Sequence, residues 1–267
     1  MFKRLFAKVK YSAWYRKLNA KVIYELLAKR IPASDWQFMN YGYSPMDCES
    51  SFQCEKKHLQ QFSLQMYHYL ALKTCVEGKQ VLEVGSGRGG GANHIAGTLN
   101  PASYTGMDLA QNAVNLANKL HNQPNLKFIQ GSAEAIPLES NSIDVVINVE
   151  SCHAYGSVPK FLSEVKRVLK PGGHLLLVDF RKVQDLEKFQ GEIDSCGMKI
   201  VEKEDISPNV VRAIETEDNA KRERIRTLIP EKWQELFAEF AGVVGSRIHT
   251  TLKGKTRFYY RYVLMKE

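Results

Sequence analysis

The spacing of apolar positions changes at Gly78. Downstream of it, short apolar runs alternate with longer stretches of helical spacing, the alternation that builds a parallel sheet covered by helices on both faces. The runs predict strands over residues 80–84 (QVLEV), 103–107 (SYTGM), 126–130 (LKFIQ), 143–149 (IDVVINV), 173–179 (GHLLLVD), 198–202 (MKIVE) and 257–265 (RFYYRYVLM). Helices are expected between them, near 90–98, 110–121, 158–169 and 183–195. Residues 207–253 are mostly of helical spacing and read as an insertion between the last two strands. Upstream, 53–77 predicts a helix that Gly78 stops, and 38–47 (FMNYGYSPMD) is aromatic and turn-rich. Residues 1–30 lack Pro and Gly and set Leu5, Val9, Leu18, Val22 and Leu26 among lysines and arginines, as in an amphipathic helix. The expected organisation is a basic helical arm (1–35), an α/β core with an N-terminal cover (36–206), a helical insertion (207–253) and a final core strand (254–267).

Composition narrows the class. The 267 residues, 44% hydrophobic and 25% charged, suit one α/β domain with an accessory segment. No run approaches the roughly 18 apolar residues of a transmembrane helix. The net charge of +8 resides in residues 1–30, which hold nine Lys and Arg against Glu25; the other 237 residues balance 28 basic against 28 acidic. The basicity therefore marks an arm and not a nucleic-acid-binding face. That arm could lie on an anionic membrane, dock on a neighbouring subunit or pack on its own domain, and the oligomeric state stays open, a homodimer included. Cys48, Cys54, Cys75, Cys152 and Cys196 form no CxxC pair, so neither a disulfide framework nor a metal site is expected. A cytoplasmic setting is expected, since lysines stand where a signal peptide needs an apolar core.

The chemistry gathers at "VLEVGSGRGGGANHIA", residues 81–96. Gly85, Gly87 and Gly90 satisfy G-x-G-x-x-G after a predicted strand, and Asp108 follows about twenty residues on, the dinucleotide spacing. No Gly-Lys-Ser/Thr follows, which excludes a Walker loop. Glu83, two residues before the first glycine, is unfavourable beside a pyrophosphate and favourable beside an α-ammonium group. S-adenosylmethionine carries an ammonium, a sulfonium and an adenosine, with no phosphate. Asp108 suits ribose hydroxyls and could equally cap the helix at 110–121; glycines 89–91 could serve only close packing, and Glu83 an ion pair.

The pattern E-V-G-S-G-R-G resembles the first motif of class I methyltransferases. "YTGMDLAQ", the turn Gly131–Glu134, the end of the 143–149 strand and "KRVLKPGGHLLLVD" follow in that family's order. The resemblance implies a Rossmann-like seven-strand sheet, mainly parallel with the last strand antiparallel, and a helical lid. It implies S-adenosylmethionine held by Glu83, Gly85, Ser86, Gly87, Asp108, Leu109, Ser132, Ala133, Glu134 and Asn148, with S-adenosylhomocysteine as product. Ser132 departs from the family's usual Asp. "NVESCHAYG", "FMNYGYSPMD" and the glycine stretch resemble the phthiotriol dimycocerosate and fatty-acid O-methyltransferases, and more distantly tocopherol and sterol methyltransferases. That implies methylation of a hydroxyl or carboxyl on a hydrophobic lipid- or polyketide-like acceptor, with C-methylation as the nearest alternative. His153, three residues after Glu150, is expected to act as base or to position the acceptor, with Glu150 orienting it or contacting the donor's methionine end; a histidine bonded to backbone is the structural alternative. Tyr41, Tyr43, Gln65 and Tyr67 belong to the cover, where an aromatic face could lie near the sulfonium. His68 reads as structural. Trp233, Phe237 and Phe240 share one helix face and either line an acceptor pocket or pack the insertion down. An NAD-dependent reductase would want a Tyr-x-x-x-Lys pair near the fourth strand, which is lacking. A non-catalytic donor-binding or membrane-docking module is the remaining class.

Overall fold

The computed structural model describes residues 36–46 and 59–267. The basic arm and the first part of the 53–77 helix lie outside the described residues. Seven strands form one sheet: β1 (Gln80–Val84), β2 (Ser103–Asp108), β3 (Leu126–Gln130), β4 (Ile143–Val149), β5 (Leu169–Lys182), β6 (Lys199–Asp205) and β7 (Arg257–Met265), in the order β3-β2-β1-β4-β5-β7-β6. All pairings are parallel except those of β7, which runs antiparallel to β5 and β6. The reversal of strand order between β1 and β4 opens a crevice at their carboxyl ends, the usual ligand position in such sheets.

The central strands are apolar on both faces because helices cover both. Val145 and Ile147 of β4, with Leu176 and Val178 of β5, join the core beneath α1 (Gln61–Ala71) and α2 (Gly90–Thr98). The alternate residues Val146, Leu175 and Leu177 join the opposite core, with Phe161 and Val165 of α4 (Val158–Val168) and Phe189 of α5 (Val183–Asp194). Between these, α3 (Gln111–Leu120) buries Ala113, Val114 and Ala117. Helix α4 begins where Ser157 accepts the Lys160 amide and Pro159 sits in the first turn. Strand β5 is longer than the 173–179 expected. "KPGG" reads as a turn, but the Gly172 amide donates to the Lys266 carbonyl at 2.7 Å and the Lys266 amide to Gly173 at 2.9 Å, so pairing with the chain after β7 continues through it.

Residues between β6 and β7 form α6 (Ser207–Leu228), α7 (Glu231–Ala241) and α8 (Arg247–Lys253). They close against the cover through a small core of Trp36, Ile225, Ile229, Phe237 and Val243, with Trp36 and Phe237 in an edge contact at 4.9 Å. Buried charges join them too: Arg224 pairs with Glu217 at 2.6 Å and Lys221 Nζ donates to the Ala241 carbonyl at 3.1 Å. Among the described residues, no helix is long and apolar enough to cross a membrane.

Two glycines distinguish packing from propensity. A Cβ at Gly91 would collide with the Tyr67 ring, whereas one at Gly191, exposed within α5, would meet nothing. Gly91→Ala is expected to lower stability by about 1–3 kcal/mol through overpacking. Gly191→Ala is expected to raise it by about 0.5–1 kcal/mol through helix propensity. Denaturant titration of the two variants checks the opposite signs.

Candidate active site

The turn after β1 is fastened from below. The amides of Gly85 and Ser86 both donate to the Met107 carbonyl, at 2.8 and 3.0 Å. Gly85 has φ +81°, and a side chain there would strike the Ser151 hydroxyl at 2.5 Å, so only glycine lets the backbone pass. Asp108 closes β2 and spans the crevice: its carboxylate accepts the Gly87 amide at 2.8 Å and the Ala110 amide at 2.9 Å. It therefore ties the start of α3 as well as the turn. Beneath Gly85, the Asn148 amide group donates to the Val84 carbonyl (2.8 Å) and reaches the hydroxyls of Ser151 and Tyr155. The Ser86 hydroxyl and the Asn148 carbonyl oxygen are buried with no partner among the described residues. Orphaned polar atoms of this kind are rare and suit a site that awaits a polar ligand.

Two cavities flank this turn. The first has apolar walls from Val84, Met107, Leu109, Ala133 and Ala154, with Asp108 and Ser132 among the polar lining residues. A slot walled by apolar side chains, with a carboxylate among them, matches a nucleoside: bases favour the walls, and ribose hydroxyls donate to the acid. Ser132 accepts the Glu134 amide, and the Glu134 carboxylate accepts the amides of Gly156 and Ser157, so Glu134 also fixes the loop that roofs the slot.

The second cavity lies between the turn, the cover segment and the strand ends, with Tyr41, Tyr67, Gly87, Glu150, His153 and Phe240 among its lining. Glu150 holds a left-handed backbone (φ +47°), uncommon for a non-glycine residue, and turns its carboxylate inward. There it accepts the Tyr41 amide at 2.7 Å and the Tyr259 hydroxyl. Burial pushes it up to about 8, against the opposing effect of those two donors. His153, in a short 3-10 turn (Cys152–Ala154), stacks on Phe180 at 4.4 Å. Its backbone amide and its Nδ1 contact the two oxygens of Asp179, at 2.7 and 2.8 Å. Asp179 is buried, and burial alone would raise it; His153 and Arg181 outweigh that and hold its carboxyl well below the usual carboxylate range. An ionised Asp179 can only accept, so Nδ1 carries a proton, and in the neutral imidazole the lone pair is on Nε2.

Of the residues expected at a donor site, Gly85, Asp108, Leu109, Ser132, Ala133 and Glu134 converge on the first cavity. Ser86, Gly87, Glu150 and His153 line the second, and Asn148 lies beneath both. Glu83 is fully buried and lines neither; Tyr67 and Tyr104 donate to its two oxygens at 2.7 and 3.0 Å, and burial pushes it up to about 7. Tyr43 and Gln65 do not join the site. Tyr43 stacks on Tyr69 at 3.9 Å, near Glu204 and Arg261, and Gln65 is buried on α1. His68 contacts His94 at 3.0 Å in the core. Phe240 reaches the second cavity, Phe237 packs on Trp36, and Trp233 is 44% exposed. Asp179 is the residue that sequence reasoning missed. Its signal was available: an acid closing the expected strand 173–179, as Asp108 closes β2.

A seven-strand sheet with the last strand reversed, and a glycine turn faced by an acid on the neighbouring strand, define a class I methyltransferase. The methyltransferase-domain family matches residues 82–177. The chain is 34% identical to the fatty-acid O-methyltransferase of Mycolicibacterium smegmatis, over 92% of this chain and 89% of the relative. It is likewise 34% identical to a probable phthiotriol/phenolphthiotriol dimycocerosates methyltransferase 2 of Mycobacterium ulcerans, over 91% and 94%. The protein belongs to the S-adenosylmethionine-dependent methyltransferase family. Among solved structures, the [4+2]-cyclase SpnF shares the fold at a TM-score of 0.72 and 19% identity, covering 94% of this chain and 96% of that one. The geranyl diphosphate C-methyltransferase of Streptomyces coelicolor A3(2) does so at 0.68 and 11%, covering 94% and 98%. A cyclase among them means that the fold alone does not specify the reaction.

The buried acid gives a pH signature. Glu150 has an ordinary value near 4.5 and is raised to about 8, so the fold favours its protonated form. The stability it contributes is complete below the ordinary value and is lost as pH rises through the raised one. The melting temperature of the protein without donor is expected to fall from about pH 5 to about pH 9, and Glu150→Gln to flatten that fall. Parallel pH profiles for the two proteins would show an ordinary carboxyl.

Proposed function

We propose that the protein transfers a methyl group from S-adenosylmethionine to an oxygen, a hydroxyl or carboxyl, of a hydrophobic lipid- or polyketide-like acceptor. The observation that carries this reading is the His153–Asp179 pair beside the glycine turn. In it, the first cavity takes the adenosine, with Asp108 on the ribose, Leu109 and Ala133 against the base and Ser132 at its edge. Gly85 and Gly87 let the backbone run close to the amino-acid end, Ser86 and Asn148 supply the orphaned oxygens for it, and Glu83 acts behind Tyr67. When bound, the donor supplies an electrophilic methyl on a sulfonium.

The chain's own part is alignment and proton transfer. Displacement at a methyl carbon needs the acceptor oxygen in line, which the walls of the second cavity enforce by excluding other poses. Asp179 keeps Nδ1 of His153 protonated and the ring stacked on Phe180, so Nε2 accepts the proton of an acceptor hydroxyl. With a carboxylate acceptor no proton need leave, and the same histidine only positions it. Helices α6 to α8 act as a lid that keeps water out, Phe240 meeting the acceptor from above. The two mycobacterial relatives, named for a fatty acid and for phthiotriol and phenolphthiotriol dimycocerosates, support the hydrophobic class.

Methyl-labelled donor incubated with a lipid extract, followed by identification of the labelled atom, tests the reading. With a hydroxyl acceptor, His153→Ala is expected to lower kcat by roughly 10²–10⁴-fold. Asp179→Asn, which disturbs the tautomer, should lower it in the same direction, while affinity for S-adenosylhomocysteine stays within about twofold in both variants. Label on carbon, or unchanged turnover of His153→Ala on a hydroxyl, would sink the assignment.

A further inference from the structure

Arg257 opens β7 and pairs through its backbone with Lys182 at the end of β5, which sets it on the sheet edge that carries His153. Its guanidinium lies 5.0 Å from the centroid of Phe180, the same ring on which His153 stacks. It makes no ion pair and no side-chain hydrogen bond among the described residues, and its Nε is buried without a partner. The other partly buried arginines of this region are neutralised. Arg181 faces Asp179 at 3.2 Å, and Arg261 faces Glu202 and Glu204 at 2.7 and 2.6 Å. Glu239 acts on Arg257 without pairing with it; both of its oxygens accept the Arg247 amide, and Arg247 acts in the opposite sense. Burial consequently pushes the Arg257 guanidinium below its ordinary value.

A groove leads from His153 and Phe180 past Arg257 and along the start of α5, and it shares Tyr155 with the first cavity. Its charged lining is Arg181, Lys182, Lys188 and Arg257 against Asp185 and Glu192. Of these cations Arg181 is spent on Asp179, and Lys188 lies 3.8 Å from Glu192. A half-buried guanidinium lacking a counterion, one ring away from the proposed base, costs stability that an apolar residue would not. Its planar fork is the shape that takes a carboxylate or phosphate through two parallel bonds.

We infer that Arg257 is the receptor for an anionic head group on the acceptor, a carboxylate or a phosphate, which it holds beside His153. Acceptors whose reacting oxygen belongs to, or adjoins, a negative charge are then selected over neutral alcohols of the same length. The inference rests on the reading of the His153 cleft as the acceptor site. It adds a specificity-determining residue from the last strand, distant in sequence from every donor-binding motif.

Three probes with one chain length separate the alternatives: dodecanoate, dodecyl phosphate and dodecanol. Each is titrated calorimetrically, below its micelle concentration, into protein saturated with S-adenosylhomocysteine. Wild type is expected to bind at least one of the two anions about tenfold or more tighter than dodecanol, and their order identifies the head group. Arg257→Gln should reduce that preference to about twofold or less, and Arg257→Lys should keep part of it, since the charge remains without the fork. Affinity for S-adenosylhomocysteine, read in the same titrations, should not change. Equal binding of anions and alcohol by wild type overturns the inference, as does a preference that survives in Arg257→Gln. Wild type that fails to bind S-adenosylhomocysteine overturns instead the reading of the donor cavity.

Discussion

The cleft depends on keeping Asp179 charged in a place where water cannot reach it. A buried carboxylate is costly unless every lone pair is occupied. Here the His153 amide and ring, the Phe180 amide at 2.7 Å and the Arg181 guanidinium occupy them. Each partner is thereby fixed. Asp179 locks the 3-10 turn after β4 against the end of β5, sets the histidine tautomer and orders Arg181, whose other end reaches the Cys152 sulfur. The parallel pairing of β4 with β5 makes this possible, since it brings the two strand ends side by side.

Glu150, one turn of chain away, is treated in the opposite manner. Its donors are a backbone amide and a phenol, with no cation in contact, and the charge of Asp179 nearby raises it further. Two neighbouring acids are thus driven apart, one held ionised and the other inclined to keep its proton, which is how enzymes divide roles between like groups. Glu150 does not touch His153. It joins β4 to the cover through Tyr41 and to β7 through Tyr259, so it braces the wall of the second cavity. Arg257, two residues before Tyr259 on the same strand, lines the adjoining groove.

The sheet was legible because its central strands are buried on both faces, which leaves continuous apolar runs between turns. Asp108 and the glycine turn were legible because strand ends in such sheets face the crevice. The partner of His153 was not. Its identification requires the order of strands, which no local spacing encodes, although the acid at the end of "GHLLLVD" was in view. The directions of the cover's side chains were not legible for a different reason. Tyr41 and Tyr43 would share a face in an extended chain, but Gly42 between them has φ +92°, and its left-handed backbone sends the two rings apart. Tyr41 lies near Phe180, at 5.8 Å, and Tyr43 against Tyr69. Side-chain direction in irregular segments is set by such single torsions, which composition does not reveal.

Glu83 shows how a residue can govern a site without entering it. Its charge was the reason to prefer an ammonium over a pyrophosphate at the glycine turn, yet two tyrosines seal it from both cavities. The preference survives through Tyr67. By donating its only proton to Glu83, that hydroxyl can act toward any further group only as an acceptor. A wall that presents acceptors favours a ligand rich in donors, such as an ammonium, and disfavours phosphate oxygens, which need donors themselves. On the proposed reading of the donor site, the discrimination falls to the orientation of a phenol, held by an acid that burial has raised to about 7. In the proposed donor site the acid is a support for Tyr67, and its influence lasts only while that hydrogen bond points inward.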